Sequence, residues 1–464
     1  MRITVIGGGP AGYAAAFEAT RLGAVVTLVE KDRLGGTCLN RGCIPTKTIL
    51  RSARIVADTR AAAEFGLQAE VARVDVAALR ARKDAVVAEL AGQLHAQAKR
   101  LGVQILHGTG HLIDATATRV LLAEGGEQRI ASDAVILACG SDTLRLPGID
   151  HALEGVWTSD EAVALTEIPA EVLVIGGGVI GLEFACAYAA FGSRVVVVEL
   201  TDQLLPGIDK RVGRVAKDAL GRLGIEFRLG EAVESVQRLA DGRMRAALRS
   251  GEAIETDVVL SAVGRVPHSS QAGLAEAGVA VLRAAVEVDG FFRTSVPGVW
   301  AVGDLIGGMM LAHVAEEEGV AAARNAVQAL RGEEPSNTVR AECIPACVYT
   351  FPEIAVVGIS RDSAQAKGLD PVVGIAKFSA NGKAIAEGES EGFVQLVAER
   401  TTGRVLGCQI VGPHAVEIIH EVATCMRNDG VVGDIARAVH AHPTVSEVVR
   451  HAATECASKI DGKG

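Results

Sequence analysis

The chain is predicted to be α/β, with two Rossmann-like dinucleotide-binding units followed by a C-terminal α+β domain. Three observations support this. Residues 2–30 read as strand, glycine turn, helix, strand and acid. Residues 171–199 repeat that unit at a constant offset of 169, and the sequence changes character after Pro335. With 464 residues, two to four domains are expected rather than one core.

In the first unit, Arg2 to Ile6 is an apolar β-run followed by Gly7-x-Gly9-x-x-Gly12. An alanine-rich helix runs to about Leu22, and the strand Val25–Val29 ends at Glu30. This is the dinucleotide fingerprint with its acid in register. The glycines let the backbone approach a pyrophosphate, and the helix N-terminus offers N–H donors and a positive dipole end. Glu30 can then accept from ribose hydroxyls. In the repeat, EVLVIGGGVIGLEFACAYAAFGSRVVVVE, the matching positions are Gly176, Gly178, Gly181 and Glu199. Both copies keep every element, so two dinucleotide sites are expected rather than one site and a decayed copy. Glu199 would repel a 2′-phosphate, and the nearest following arginine is Arg211. The second site should therefore prefer NAD(H) to NADP(H).

Between the first unit's second strand and its helical insertion lies GGTCLNRGCIPTK, residues 35–47. Cys38 and Cys43 stand five positions apart. A regular helix rises about 7.5 Å over that span, and a disulfide needs Cα atoms within about 7 Å. A bridge would require the backbone to bend, which Gly42 permits. Pro45 suits the first turn of a following helix. So short a loop adds little stability. Zinc-site spacing has no second pair to complete it, and ordinary buried thiols are the bland alternative. A chemical use is the better reading.

The helical insertion carries Leu79, Val86, Leu90, Leu94 and Leu101 on one face, read as core, with Asp75 as N-cap. Strands are expected at Val103–Leu106 and Ala134–Ala138, and Pro147-Gly148 marks a boundary. The second unit closes near Val258–Arg265. A strand at Val299–Val302 delivers Asp304, and a helix runs from about Leu311 to Leu330. In the last segment Val348–Gly358, Phe393–Val397 and Leu406–Val411 look like strands, with helices near 414–428 and 444–459. The expected divisions are 1–147 (helical insertion about 45–102), 148–265, 266–336 and 337–464. In HAHPTVSE, Pro443 places a helix start, with Glu447 about one turn inside. His442 and Glu447 are either a solvated cap or an imidazole held by a carboxylate, a pairing that raises basicity and fixes the tautomer.

The net charge of −10 leaves no basic stripe for nucleic acid. No apolar run reaches membrane-spanning length. Met1 leads directly into a strand, leaving no room for a targeting peptide. Nine cysteines, scattered except for the one pair, fit a reducing compartment and a cytoplasmic home.

GGTCLNRGCIPTK, the paired glycine units, WAVGD (300–304), LAHVAEEEG (311–319), YTFPEIAVVG (349–358) and HAHPTVSE together resemble the dihydrolipoyl dehydrogenases. These form a branch of the flavin-dependent pyridine-nucleotide disulfide oxidoreductases. The resemblance spans essentially the whole chain. Arg41 and Cys139 depart from it, standing where an apolar residue and a threonine are usual.

The resemblance implies a role for each motif. FAD would be held by Gly7, Gly9, Gly12, Glu30, Lys47, Gly110, Gly140, Ser141, Asp304 and the segment Met310, Leu311, Ala312, His313. NAD would be held by Gly176, Gly178, Gly181, Glu199, Val233 and Gly264. Cys43 would be the thiol nearest the flavin and Cys38 the one exchanging with substrate. Lys47 would approach the flavin, paired with Glu183. His442 would deprotonate the dithiol substrate, and Glu447 would orient it. Both would come from the partner subunit of a homodimer. No metal is implied. The partner would be a lipoyl-bearing protein of a 2-oxo acid dehydrogenase or glycine cleavage complex.

Rivals within the fold are weaker. A mercuric reductase would carry a vicinal cysteine pair near the C-terminus, where this chain has only Cys456. A glutathione-type reductase would want arginines after Glu199. A non-catalytic FAD-binding scaffold would not need Cys38, Cys43, His442 and Glu447 all intact.

Overall fold

The computed structural model describes residues 1–70, 73–270 and 272–462. The chain forms two units, each assembled from separated segments. The first comprises Met1–Thr48, Ala77–Leu144 and Gly264–Val339; the second comprises Ile49–Val76, Arg145–Val263 and Arg340–Gly464.

The first unit is built on a seven-stranded sheet. In spatial order its strands are Val299–Ala301, Ala134–Leu137, Arg2–Ile6, Val25–Glu30, Gln104–Asp114, Ala117–Leu122 and Glu127–Ala131. The first five run parallel, and the last two turn back as an antiparallel meander. Side chains alternate across a strand, and here both faces are apolar. Ile3, Val5 and Ile136 point into one cluster, with Ala11, Ala15 and Ala322 of the helices Pro10–Arg21 and Ala312–Leu330. Ile6, Val135 and Leu137 point into the other, with Leu112, Val299 and Leu305. A parallel sheet covered on both sides needs such continuous apolar strands.

The second unit contains a five-stranded parallel sheet, in the order Glu226–Leu229, Arg194–Glu199, Glu171–Ile175, Val258–Ser261 and Val156–Trp157. One face carries Leu173, Ile175, Val196 and Val198, covered by Met244, Ala246 and Leu248 of an antiparallel meander. Beside these elements in sequence, residues 340–464 form a five-stranded antiparallel sheet. Its inward residues Val394, Leu396 and Ala398 pack with the helices Ala415–Arg427 and Glu447–Ile460.

Three expectations are corrected. Val348–Gly358 is not one strand: Ala346–Val348 and Glu353–Gly358 pair antiparallel, with the intervening residues as the turn. In the helix Val76–Leu101, Leu79 is buried, but Val86 and Leu90 are half-buried and Val87 lies inside instead. The buried positions, Leu79, Lys83 and Val87, follow a four-residue spacing instead. Glu447 is not one turn inside its helix but its first residue, because residues 443–446 form bends and turns first. Among the described residues, no helix is long and apolar enough to cross a membrane.

Candidate functional site

The two glycine loops are built alike. Gly7 (φ +105°) and Gly176 (φ +107°) adopt a conformation in which a Cβ would strike the backbone of the neighbouring strand end, at Ala138 and Ala262. A Cβ on Gly12 or Gly181 would come within 1.8 or 2.0 Å of the oxygen of Gly7 or Gly176. The helices after the loops start at Pro10 and Val179, so each N-terminus faces its loop. At Gly178 an added Cβ would meet nothing within 4 Å, and at Gly9 only the Gly36 Cα at 3.8 Å. Each loop thus has one open glycine face, the approach a pyrophosphate needs. A dinucleotide fits both.

The acids that close the two units do more than wait for a ribose. Glu30 accepts the Gly8 N–H at 2.6 Å and the Asp32 N–H at 2.7 Å. Glu199 accepts the Gly177 N–H at 2.7 Å and both the N–H and hydroxyl of Thr201. Each carboxylate therefore fixes its own glycine loop and keeps further lone pairs for a ligand.

Other expected contacts of the first unit lie along the sheet's C-terminal edge. Ser141 donates to Asp304, and Arg265 joins them, Nε to Ser141 Oγ at 2.7 Å and Nη2 to the Ser141 carbonyl at 2.8 Å. Gly140 has φ +73° and open space where a Cβ would stand. Gly110 lies inside the strand Gln104–Asp114, where a Cβ would meet Ile6 at 2.9 Å, so the sheet itself demands glycine there. Met310, Leu311 and Ala312 are half-buried at the start of the helix Ala312–Leu330, while His313 is exposed. In the second unit, Val233 opens the meander opposite Leu248. Gly264, with φ +121°, begins the last segment of the first unit.

The cysteine motif contains the bend it needed. A short helix, Gly36–Arg41, stops at Gly42 (φ −124°, ψ −112°), and a new helix, Cys43–Arg60, starts at once. Pro45 falls in its first turn, and Lys47 comes next but one. The break brings the two sulfurs into hydrogen-bonding contact; both are thiols here. That bond, together with burial and the charge on Cys43, pushes the Cys38 thiol far above its ordinary range. Asn40 Nδ2 donates to the Gly36 carbonyl at 2.9 Å, tying the short helix to its own start. Arg41 is turned outward, 3.0 Å from Asp32. Cys139 is pushed up to about 12 by burial, an inert thiol.

In the second unit, Glu183 lies buried on the helix Val179–Phe191 and accepts the Tyr349 N–H at 3.1 Å. His442 Nδ1 stands 3.0 Å from Glu447 Oε1, with the imidazole side chain 80% exposed. The Thr444 N–H donates to the other Glu447 oxygen, and this bond, then His442, holds the carboxyl below its usual range. His440, by contrast, is nearly buried against Glu421 at 3.0 Å.

Sequence reasoning passed over four side chains. Tyr13 donates to Glu316, and Glu318 accepts the Gly303 N–H at 2.8 Å. Burial, with the charge of Asp304, pushes Glu318 up to about 7. Arg265 is the fourth. The signal for the glutamates was present: three consecutive acids in the first turns of an otherwise apolar helix.

Residues 1–319 match the pyridine nucleotide-disulphide oxidoreductase family, and 344–453 match its dimerisation domain. A dihydrolipoyl dehydrogenase from Haloferax volcanii is 39% identical over 460 residues, covering 97% of this chain and 95% of its own. One from Bacillus subtilis is 36% identical, covering 97% and 98%. The leghemoglobin reductase of Vigna unguiculata is 38% identical, covering 97% and 86%. The crystal structure of LpdA from Mycobacterium tuberculosis has a TM-score of 0.90 at 29% identity, covering 98% and 99% of the two chains. With both halves matched in order along one chain, the protein belongs to the pyridine nucleotide-disulphide oxidoreductase family.

Proposed function

We propose that the chain is a flavoprotein dihydrolipoyl dehydrogenase, oxidising protein-bound dihydrolipoamide at the expense of NAD⁺. The observation that carries this reading is the contact of Cys38 with Cys43 at the helix break, in the same unit as the first glycine loop. Near-full-length identity to curated dihydrolipoyl dehydrogenases supports the substrate.

The first loop, with Glu30, Ser141 and Asp304, would hold FAD, and the second, with Glu199, would hold NAD. When bound, FAD supplies a two-electron carrier between a dithiol and a nicotinamide. The protein's own steps are proton and thiol steps. His442, its Nδ1 fixed by Glu447, takes a proton from one substrate thiol through Nε2. The resulting thiolate attacks Cys38 of the oxidised pair, displacing Cys43 as a thiolate. The second substrate sulfur then gives up its proton and displaces Cys38 from the mixed disulfide, and Cys38 takes up that proton and leaves as a thiol. The substrate leaves as a cyclic disulfide, and both electrons remain on the Cys38/Cys43 pair. Lys47 would place positive charge beside the carrier.

The exposed His442 would serve the disulfide of the partner subunit in a C2 homodimer, with residues 337–464 as the interface domain. The scattered cysteines support a cytoplasmic setting, where the lipoyl group arrives on another protein of a 2-oxo acid dehydrogenase or glycine cleavage complex. Steady-state turnover tests the reading. Free dihydrolipoamide with NAD⁺ should far outpace glutathione disulfide or Hg²⁺ with NADPH. Faster turnover in either of the latter pairs would overturn it.

A further inference from the structure

A two-stranded strap in the first unit carries Ser141, one half of the Ser141–Asp304 contact. Arg265–Pro267 pairs antiparallel with Ser141–Thr143, Arg265 opposite Thr143 and Pro267 opposite Ser141. Ladder bonds close it at both ends. The Leu144 N–H donates to the Gly264 carbonyl and the His268 N–H to the Gly140 carbonyl, each at 3.0 Å. Such bonds fall on alternate pairs of an antiparallel ladder, so Pro267 stands where no donor is asked of it. Side chains extend the strap to the turn before it. Arg265 binds the Ser141 hydroxyl and carbonyl, and His268 Nδ1 lies 3.1 Å from the Cys139 carbonyl. Cys139, Gly140 and Ser141 are thus all held by Arg265 and His268.

The bond to Cys139 fixes the tautomer of the ring. A carbonyl oxygen only accepts, so Nδ1 carries the hydrogen, and in the neutral ring Nε2 is an acceptor. Nε2 is buried, has no hydrogen-bond partner among the described residues, and stands 3.5 Å from Asp142 Oδ2, another acceptor. A buried polar atom left in this way calls for a reason. Protonation supplies one, since Nε2 becomes a donor and the ring a cation facing a carboxylate. Burial opposes the charge on Asp142, but the Thr143 N–H, then His268 and Arg265, outweigh it and hold the carboxyl below its usual range. The other charges around the ring are Arg265 on its own strand and Asp304, 3.7 Å from Arg265, on the short helix Gly303–Ile306. The Cys139 thiol, pushed up to about 12 by burial, stays neutral.

We propose that His268 is a positioning residue of the first nucleotide site: its neutral ring holds the Cys139–Ser141 turn through Nδ1, and its protonated ring also grips Asp142, the residue after that turn, slowing the loss of FAD. This rests on the reading of Ser141 and Asp304 as FAD contacts. Ser141 donates to Asp304, so what steadies the turn also steadies that carboxylate. His268 acts through the turn and not on the cofactor itself.

The test follows FAD loss from the holoenzyme in a fixed, sub-denaturing concentration of potassium bromide, from about pH 5.5 to about pH 8.5, a range spanning the ordinary histidine titration. Flavin absorbance of the ultrafiltrate gives the rate, and far-UV circular dichroism checks that the chain stays folded. Glu318 titrates in the same window, so each variant is read as a ratio to the parent at equal pH. His268→Ala removes the donor and should release FAD roughly 3- to 10-fold faster throughout. His268→Asn sets an amide N–H where Nδ1 stands and cannot gain a proton. Its rate should match the parent's at the alkaline end and exceed it roughly 2- to 5-fold at the acid end. Asp142→Asn keeps an acceptor for the Thr143 N–H and should follow the same course. That side chain is exposed, so Asp142→Asn decides alone if the His268 variants do not fold. Ratios for the two asparagine variants that do not change with pH overturn the proposal, as does parental release from His268→Ala. A parent that carries no FAD and takes none up refutes the flavin reading and this inference with it. If the parent holds FAD and the variants release it as the parent does, only the role of His268 falls.

Discussion

His442 Nδ1 lies 3.0 Å from Glu447 Oε1, an arrangement that leaves Nε2 as the nitrogen able to take or give a proton outward. The carboxylate is itself steadied by the Thr444 N–H, which with His442 keeps it ionised well into acid. An ionised acceptor demands the Nδ1–H tautomer, which holds the ring in one orientation.

Removing that base should be costly. His442→Ala is expected to lower dihydrolipoamide turnover by about 10²- to 10⁴-fold, the usual worth of general base catalysis, while NADH reduction of the flavin survives. Glu447→Gln should lose less, because the amide oxygen still accepts from Nδ1 and keeps the ring oriented. His440→Ala should do far less than His442→Ala, since that ring is packed against Glu421. Equal losses for the two histidines would contradict the assignment.

Cofactor choice should follow Glu199. Its carboxylate is fixed by Gly177 and Thr201 at the end of its strand, where a 2′-phosphate would meet a charge that cannot swing away. NAD⁺ should exceed NADP⁺ in kcat/KM. Glu199→Ala with an introduced arginine should narrow the gap, because part of the specificity is repulsion. Equal kcat/KM in the parent would contradict this.

Glu318 sets a pH dependence of stability with a definite sign. Its carboxyl is raised from an ordinary 4.5 to about 7 by burial and by Asp304. Between those values the folded chain holds a proton that the unfolded chain has lost. Stability from this group is therefore full below the lower value and declines as pH rises through the window. Glu318→Gln keeps an acceptor for the Gly303 N–H and cannot ionise. It should melt higher than the parent near pH 8 and about equally near pH 5. A gain that grew toward acid would refute the assignment.

Much of this architecture was legible because the same physical demand was written twice. Gly7, Gly9, Gly12 and Glu30 recur at Gly176, Gly178, Gly181 and Glu199, and the two loops have the same close approaches and the same carboxylate bond. The bend at Gly42 could also be anticipated, since no regular helix joins Cys38 to Cys43. What escaped was set by neighbours distant in sequence. Tyr13 and Glu316 stand 303 positions apart, and Arg265 reaches Ser141 across 124. No local period reports such pairs. Glu447 was misplaced by one turn because Pro443 signals a helix start, whereas the residues after it first form turns and only then the helix.

The central claim is a dithiol site completed by a base from the partner subunit, and subunit exchange tests it most directly. Cys43→Ser and His442→Ala homodimers should each be nearly inactive toward dihydrolipoamide. Mixed under exchange conditions, they form heterodimers in which one site carries both defects and the other neither. Up to about half the parent activity per heterodimer should then return. Verified heterodimers that remain inactive would show that His442 serves the cysteine pair of its own chain, contradicting the shared site.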